Sequence, residues 1–245
     1  MKSGFSLQTS SIARQIAQNY SAVRERIAAA AIRVGRKTEE VTLVAVTKYA
    51  EMDWVHTLVS LGATELGENY PQQLLDRKDQ IAAQVHWHLI GSLQRNKARK
   101  ILPAVAMIHS VDSVRLLEAL NRLAFELQVR PSVLLEVNVS GEASKHGFSS
   151  AELRLAWPQI TAFQNVRVAG LMTMAPHSEN AEESRPVFAG LRRLRDEVLR
   201  ESPPGISLPH LSMGMTADFE TAIEEGATLV RVGSALWEGL PQRNA

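Results

Sequence analysis

One lysine stands where a buried strand is expected to end. Lys48 closely follows the apolar run VTLVAV at residues 41–46, which is short and β-branched, as in a strand buried on both faces. A lysine partly desolvated at such a place has a lowered pKa and becomes a nucleophile that forms Schiff bases. Most lysines instead lay their stem on apolar surface and keep the ammonium in water. The position of Lys48 favours the nucleophile, whereas its residue type does not.

Two glycine-containing segments late in the chain could bind an anion. They are SMGM at residues 212–215 and RVGSA at residues 231–235. Gly214 and Gly233 would let backbone N–H groups approach the anion, the neighbouring serines would add hydroxyls, and a following helix start would add its dipole. Either segment alone is explained by an ordinary glycine turn. The two together favour an anion site.

The segments GENY and HWHLIG carry further polar side chains. A strand exit with a glycine, followed by Pro71 at a helix start, explains every GENY residue except Asn69. His86 and His88 lie two residues apart and so on one face of a strand. Such a pair could begin a metal site, but no third ligand has matching spacing and cysteine is absent. Packing or pocket polarity is the favoured interpretation, and no metal is predicted.

The elements that must position these residues alternate between strands and helices. Eight short apolar runs predict strands at residues 41–46, 63–67, 85–91, 105–111, 132–139, 166–174, 207–214 and 228–233. Segments of helical period lie at residues 10–34, 54–61, 72–83, 94–102, 113–128, 151–163, 181–200 and 216–225, with Gly35 placed to end the first.

This alternation predicts an α/β fold, a single (β/α)₈ TIM-type barrel with an additional N-terminal helix, with residues 1–245 as one domain. An open doubly wound sheet is the main rival, but VAVTKYA lacks the glycine-rich turn that such a sheet has after its first strand. Barrels build their sites from the loops after the strands and frequently bind phosphate after strands seven and eight. The two glycine segments fall at that place.

Composition excludes several classes of partner. The 245 residues hold 27 Lys and Arg against 26 Asp and Glu, a net charge of +1, so no long-range field steers the chain to nucleic acid or a membrane. The basic run QRNKARK is interpreted as a solvated helix face. The absence of cysteine removes thiolate chemistry and fits a reducing compartment. The start has no apolar signal region, and a cytoplasmic protein is expected.

Seven segments carry a resemblance to a known family. In chain order they are AVTKYA, GENY, HWHLIGSLQRNKARK, HSVDS, LEVNVSGEASKHGF, AGLMTMAP and HLSMGMTADFETAIEEGATLVRVGSALW. Over nearly the whole chain they resemble the pyridoxal phosphate homeostasis protein family, whose fold is that of the barrel half of alanine racemase. The resemblance is specific because HLIGSLQRNK and LSMGMTADFETAIEEGATLVRVG are long, ordered motifs.

The resemblance implies a set of cofactor contacts. Lys48 would carry pyridoxal 5′-phosphate as a Schiff base, Asn69 would border its ring, and Arg231 would face the pyridine nitrogen. The phosphate would be held by Ser212, Met213, Gly214, Gly233 and Ser234. Lys145, in the SKHG loop, matches a family lysine implied to help move the cofactor on or off.

The implied function is cofactor homeostasis, in which the protein holds and releases the cofactor without substantial turnover. Recipients would be pyridoxal-phosphate-dependent apoenzymes, and a monomer is expected. The alternative is a racemase or decarboxylase using the same Lys48, but only residues 234–245 follow the eighth strand, too few for the second domain that completes a racemase site. A partner-binding regulator with a vestigial pocket is a third hypothesis, and it predicts no cofactor on the purified protein.

Overall fold

The strands form a closed, parallel barrel. The computed structural model describes residues 2–82, 84–142 and 145–241, with side chains from residue 11 onward. Its strands pair in the order β1 to β8 and close on each other. They are β1 Thr42–Val46, β2 Glu65–Glu68, β3 His86–Leu89, β4 Met107–Val111, β5 Ser132–Glu136, β6 Arg167–Met172, β7 His210–Ser212 and β8 Leu229–Val232. The predicted barrel is confirmed. One domain over residues 1–245 stays a prediction, since some of those residues lie outside the described ones.

Helices connect the strands and surround them. They are α1 Lys2–Arg33, α2 Met52–Ser60, α3 Pro71–Lys78, α4 Arg95–Ile101, α5 Val114–Leu127, α6 Ser150–Thr161, α7 Arg185–Arg200 and α8 Phe219–Glu224. Short 3₁₀ helices lie at Thr38–Glu40, Ala181–Ser184 and Ser234–Trp237. The additional N-terminal helix is therefore confirmed as α1. Within the described residues, no helix is long and apolar enough to span a membrane.

The predicted helices differ from the observed ones mainly at their ends. The prediction for α3 ran to Ala83, which lies outside the described residues, whereas the helix ends at Lys78. The predicted start of α7 at residue 181 is a 3₁₀ turn, and Pro186 stands in the first turn of the α-helix itself. Proline has no N–H to donate, so it is well tolerated at a helix start and unfavourable in a helix interior.

Local side-chain chemistry sets other helix starts. Ser113 accepts a hydrogen bond from the backbone N–H of Leu116 and caps α5. Ser149 and Glu152 form a reciprocal capping box at α6. Pro71 is the first residue of α3, as predicted. These caps fix where the chain leaves each loop and thus how long each loop at the barrel mouth is.

The strands separate two packing layers. The outer layer, between strands and helices, is apolar and includes fully buried Phe188 and Phe219. Inside the barrel a smaller apolar cluster consists of Val44, Met107, Leu134, Ala169, Met172 and Leu229. Above and beside this cluster, the barrel interior holds buried polar side chains, and these lead to the site.

Candidate functional site

A cavity of about 990 Å³ opens at the mouth of the barrel. This volume is at the upper end of what small-molecule sites occupy, about 300 to 1,000 Å³. Five residues predicted as cofactor contacts line it: Lys48, Asn69, Arg231, Gly233 and Ser234. They come from three different strand ends, those of β1, β2 and β8, so the fold brings together residues that are up to 186 positions apart, from 48 to 234.

The loop that carries Lys48 is held by its carbonyl groups. Gln73 donates through Nε2 to the carbonyl oxygen of Lys48 at 3.0 Å. Arg77 donates to the carbonyl oxygens of Thr47 at 2.7 Å and Ala50 at 2.6 Å. Both donors belong to α3, which therefore fixes the path of the backbone on either side of the lysine. The Lys48 side chain is half-buried and its ammonium lies 4.9 Å from the ring centroid of Tyr49.

A buried carboxyl group lies beneath this loop. Glu68 pairs with Arg77 at 3.0 Å and accepts a hydrogen bond from the hydroxyl of Thr47. Burial raises the pKa of Glu68, against the opposing effects of the Thr47 hydrogen bond and the Arg77 charge. Its Oε2 atom has no hydrogen-bond partner among the described residues. The pair ties α3 to the end of β2 and keeps the Arg77 guanidinium oriented toward the Lys48 loop.

On the other side of the cavity, four residues form what we call the anion cradle: Thr216, Ala217, Gly233 and Ser234. All four line the cavity. Within residues 2–82, 84–142 and 145–241, the backbone N–H groups of Thr216, Ala217 and Ser234 have no acceptor. Gly233 donates to Thr216 Oγ1 at 3.4 Å, and a Cβ on Gly233 would lie only 3.3 Å from Val46 Cβ. Unpaired N–H donors around a glycine are what an anion site requires.

The remaining part of the predicted phosphate segment lies behind the cavity wall. Ser212 and Met213 are fully buried, and neither they nor Gly214 line the cavity. Strand alternation points the Ser212 side chain into the barrel, while Met213 packs in the outer layer. Gly214 has φ +90° and a Cβ there would lie 2.8 Å from Phe219 Cα, so it serves the turn. Their contact with a phosphate stays a prediction.

Arg231 reaches the cavity from inside β8. Its guanidinium donates to Ser212 Oγ at 2.6 Å and to the carbonyl oxygen of Thr173 at 3.0 Å. Burial lowers the pKa of Arg231 to about 10, although the charges of Asp218 and Glu136 oppose this effect. The side chain is therefore protonated at neutral pH and presents only donors to the cavity.

Several residues of the wall were not found from the sequence. Glu136 lines the cavity at the end of β5, and its pKa is raised by burial and by the charge of Asp112. His146 and His177 line the cavity from the loops after β5 and β6. A charged residue at the end of an apolar run is a visible signal for Glu136. The loop histidines carry no comparable signal.

Lys145 stands at the edge of the cavity and not in its wall. Its ammonium donates to Glu142 Oε1 at 3.1 Å and to the carbonyl oxygen of Met174 at 3.3 Å. Met174 lines the cavity. The neighbouring residues Ala143 and Ser144 of the loop lie outside the described residues. The predicted role of Lys145 in cofactor movement stays a prediction.

The two histidines of β3 have different surroundings. His86 is 64% exposed and pairs with Glu65. His88 points into the barrel, where Nε2 lies 2.7 Å from Glu65 Oε2 and Nδ1 lies 2.8 Å from His109 Nε2. Among the described residues, no three His, Cys, Asp or Glu side chains are arranged to hold a metal ion. His88 is part of a buried polar network.

Comparison with known proteins gives consistent results. Residues 13–241 match the family model "Alanine racemase, N-terminal domain". The chain is 40% identical over 221 residues to the pyridoxal phosphate homeostasis protein of Aquifex aeolicus, covering 90% of this chain and 96% of that one. The structure of PipY from Synechococcus elongatus with pyridoxal phosphate bound aligns with a TM-score of 0.79 at 34% identity, covering 90% and 99%.

An alanine racemase shares the fold at lower identity. The enzyme from Bartonella henselae, with covalently bound pyridoxal phosphate, aligns with a TM-score of 0.71 at 16% identity. The alignment covers 92% of this chain but 58% of the racemase. It establishes a common barrel and nothing further.

Proposed function

Because this chain belongs to the pyridoxal phosphate homeostasis protein family, we propose that it binds pyridoxal 5′-phosphate at the barrel mouth and carries or releases it without substantial catalysis. The bound cofactor supplies an aldehyde that condenses with amines and a ring that withdraws electrons. The cavity fits such a molecule because its wall offers a half-buried amine, a buried guanidinium and unpaired backbone donors.

One observation carries the proposal. Lys48 and the anion cradle line the same cavity, so an amine for the aldehyde and donors for the phosphate are available to one small molecule. We assign the covalent bond to Lys48, the border of the ring to Asn69, the ring nitrogen to Arg231, and the phosphate to the anion cradle. The predicted phosphate contacts of Ser212, Met213 and Gly214 remain part of this assignment.

Arg231 is the reason to propose a carrier. The electron-withdrawing strength of the ring depends on the group that faces its nitrogen, commonly a carboxyl group that keeps the nitrogen protonated. A protonated arginine donates a hydrogen bond to the ring nitrogen but keeps its proton at neutral pH, so it does not protonate the nitrogen. The ring nitrogen would stay unprotonated, and the ring would withdraw electrons weakly. Tyr49 and Tyr70 are 76% and 55% exposed at the rim, so neither is held in place as a partner base.

The first prediction tests the covalent bond. We expect the cofactor-loaded protein to absorb as a protonated Schiff base, and borohydride to fix the cofactor to one peptide containing Lys48. Lys48→Arg keeps the positive charge but should lose the fixed adduct, whereas Lys100→Arg, on the exposed face of α4, should keep it. Peptide mass spectrometry of the reduced protein measures both. An adduct on Lys97, the other lysine of the wall, would show that the assignment is wrong.

The second prediction tests the absence of catalysis. General acid or base groups contribute about 10² to 10⁴ in rate, so a site in which neither rim tyrosine is held in place as the second base should turn over well below ~1 s⁻¹. Single enantiomers of alanine, serine and lysine are incubated with the loaded protein, followed by chiral chromatography and an assay for carbon dioxide. Turnover near ~1 s⁻¹ that disappears in Lys48→Ala would make the protein an enzyme.

We further propose that pyridoxal-phosphate-dependent apoenzymes in the cytoplasm receive the cofactor, and that the carrier acts as a monomer. We assign a part in this release to Lys145, whose ammonium donates to the carbonyl oxygen of the cavity residue Met174. The loaded protein should activate an apoenzyme when free cofactor is removed by a scavenging phosphatase. Activation that follows only the free cofactor concentration would count against direct transfer. Sedimentation of the loaded protein measures whether it is a monomer.

A further inference from the structure

A chain of hydrogen-bonded polar side chains, buried except for its first member, crosses the barrel interior. It begins at Glu65, the first residue of β2, at the end of the barrel opposite the cavity. From Glu65 Oε2 to His88 Nε2 the distance is 2.7 Å, and from His88 Nδ1 to His109 Nε2 it is 2.8 Å. His109 Nδ1 lies 2.9 Å from Ser212 Oγ, which accepts from Arg231 at 2.6 Å. We call these five residues the interior chain. It ends in the cavity wall, because Arg231 lines the cavity.

Hydrogen-bond bookkeeping fixes the direction of the interior chain. The guanidinium of Arg231 carries no acceptor atom, so Arg231 must be the donor in its hydrogen bond with Ser212. Ser212 is fully buried, and its own hydrogen can go to Nδ1 of His109. A neutral His109 then carries its hydrogen on Nε2 and donates to Nδ1 of His88. His88 in turn donates from Nε2 to the carboxylate of Glu65. Each side-chain donor of Ser212, His109 and His88 has an acceptor in this arrangement.

The opposite direction is unfavourable. If His109 donated to Ser212, the serine oxygen would accept twice and its hydrogen would have no acceptor among the described residues. An unsatisfied buried donor costs about 1 to 3 kcal/mol. A doubly protonated His109 is also disfavoured, because burial and the nearby charges of His88, Arg231 and His210 hold its pKa well below the ordinary value.

We propose that Glu65, His88 and His109 are positioning residues that, through Ser212, hold the guanidinium of Arg231 in its orientation toward the cofactor ring. The interior chain links a carboxylate at the far end of the barrel to the group that faces the ring nitrogen. The interior chain fixes the position of the positive charge on Arg231. It does not conduct protons, since Arg231 keeps its proton at neutral pH. The assignment of the ring nitrogen rests on the proposed function, whereas the holding of Arg231 does not.

The holding of Arg231 is tested on the protein without cofactor. In ¹⁵N-histidine-labelled protein, a scalar coupling across the N–H···N bond should join Nε2 of His109 to Nδ1 of His88. Arginine labelling should show distinct Nη resonances for Arg231, because rotation of a guanidinium with two fixed partners is hindered. His109→Phe should abolish the coupling and merge the Nη resonances. Absence of the coupling in the parent protein would overturn the proposal.

The effect on the cofactor is tested by a matched pair of variants. Glu65→Gln removes the terminal charge with little change of shape, and His86→Gln removes the exposed partner of Glu65 that lies outside the interior chain. With cofactor labelled with ¹⁵N in the ring, the ring resonance should move in Glu65→Gln and stay in place in His86→Gln. Thermal unfolding checks that both variants are folded.

The outcomes separate the two proposals. A folded Glu65→Gln with an unchanged ring resonance and unchanged Arg231 Nη resonances overturns the role of the interior chain while leaving cofactor binding intact. A parent protein that takes up no cofactor overturns the proposed function, and the Nη resonances of Arg231 in Glu65→Gln then decide the interior chain alone.

Discussion

The outer packing layer and the barrel interior differ in the side chains they bury. The outer layer between strands and helices is continuous and apolar, with Phe188 and Phe219 among its fully buried members. The interior has only a small apolar cluster, and it buries His88, His109 and Arg231 close by. Buried polar groups cost free energy unless they are hydrogen-bonded. Stability is therefore concentrated outside the strands, whereas the interior is organised around hydrogen-bonded polar groups that reach the site.

The largest expected effect is a loss of stability from a substitution in the outer layer. Phe188→Ala on α7 removes a fully buried ring and leaves a cavity, so the free energy of unfolding should fall by about 3 to 5 kcal/mol. Cofactor affinity of the folded variant should not change, because Phe188 does not line the site. Urea unfolding and cofactor titration measure the two quantities. A weakened cofactor affinity with little loss of stability would reverse the proposed division between the layers.

The next effect belongs to the anion cradle. Losing one hydrogen bond to a charged phosphate costs roughly 1.5 to 3 kcal/mol, so Ser234→Ala should weaken cofactor binding about tenfold or more. Thr216→Val should act in the same direction, while Ser21→Ala, on the exposed face of α1, should not. Global stability should change little, since Ser234 is exposed. Equal affinity for pyridoxal and for its phosphate would show that the anion cradle does not bind the phosphate.

The outer layer was the easier part to predict from sequence. Parallel strands buried on both faces give continuous apolar runs, and the run before Lys48 is an example. Helix starts carry their own signals, such as Pro71 at α3. The predicted ends of the helices were less accurate. The end of α3 and the 3₁₀ turn before α7 depend on where the chain must meet the next element.

Sequence pointed to cavity-lining residues where a polar residue stands two positions past a strand, as Lys48 and Ser234 do. Ser212, which is buried and does not line the cavity, shows what the sequence does not report, although its phosphate contact stays a prediction. The run SLPHLSMG contains no clear alternation, and a shift of one residue decides whether a side chain faces the interior, the helices or the mouth. His109 shows a second gap, because its partners His88 and Ser212 come from strands 21 and 103 residues away. No local pattern reports such pairs.

The smallest expected effect on stability comes from the partly exposed ion pairs between α1 and α8. Glu220 on α8 pairs with Arg26 at 2.7 Å and Arg33 at 3.0 Å on α1, and all three side chains are partly exposed. Exposed ion pairs contribute about 0.2 to 1 kcal/mol and are screened by salt. Glu220→Gln should therefore lower the free energy of unfolding by less than ~1 kcal/mol at neutral pH, and its effect should shrink further at high salt.

The pH dependence of unfolding of this variant shows whether the ion pairs of Glu220 stabilise or destabilise the folded protein. Burial raises the pKa of Glu220, but the hydrogen bonds from Arg26 and Arg33 outweigh it, so the pKa in the folded protein lies below the ordinary 4.5. The folded state then binds fewer protons than the unfolded state, and the stabilisation is complete above pH 4.5 and is lost as pH falls through the folded-state pKa. Parent and Glu220→Gln should therefore differ in urea unfolding at pH 7 and converge in acid. Lys100→Gln, an exposed charge change on α4, is the matched control and should show no such convergence. A difference between parent and Glu220→Gln that grows as pH falls would contradict the expected sign, and it would mean that the carboxylate is stabilised less in the folded protein than in the unfolded chain.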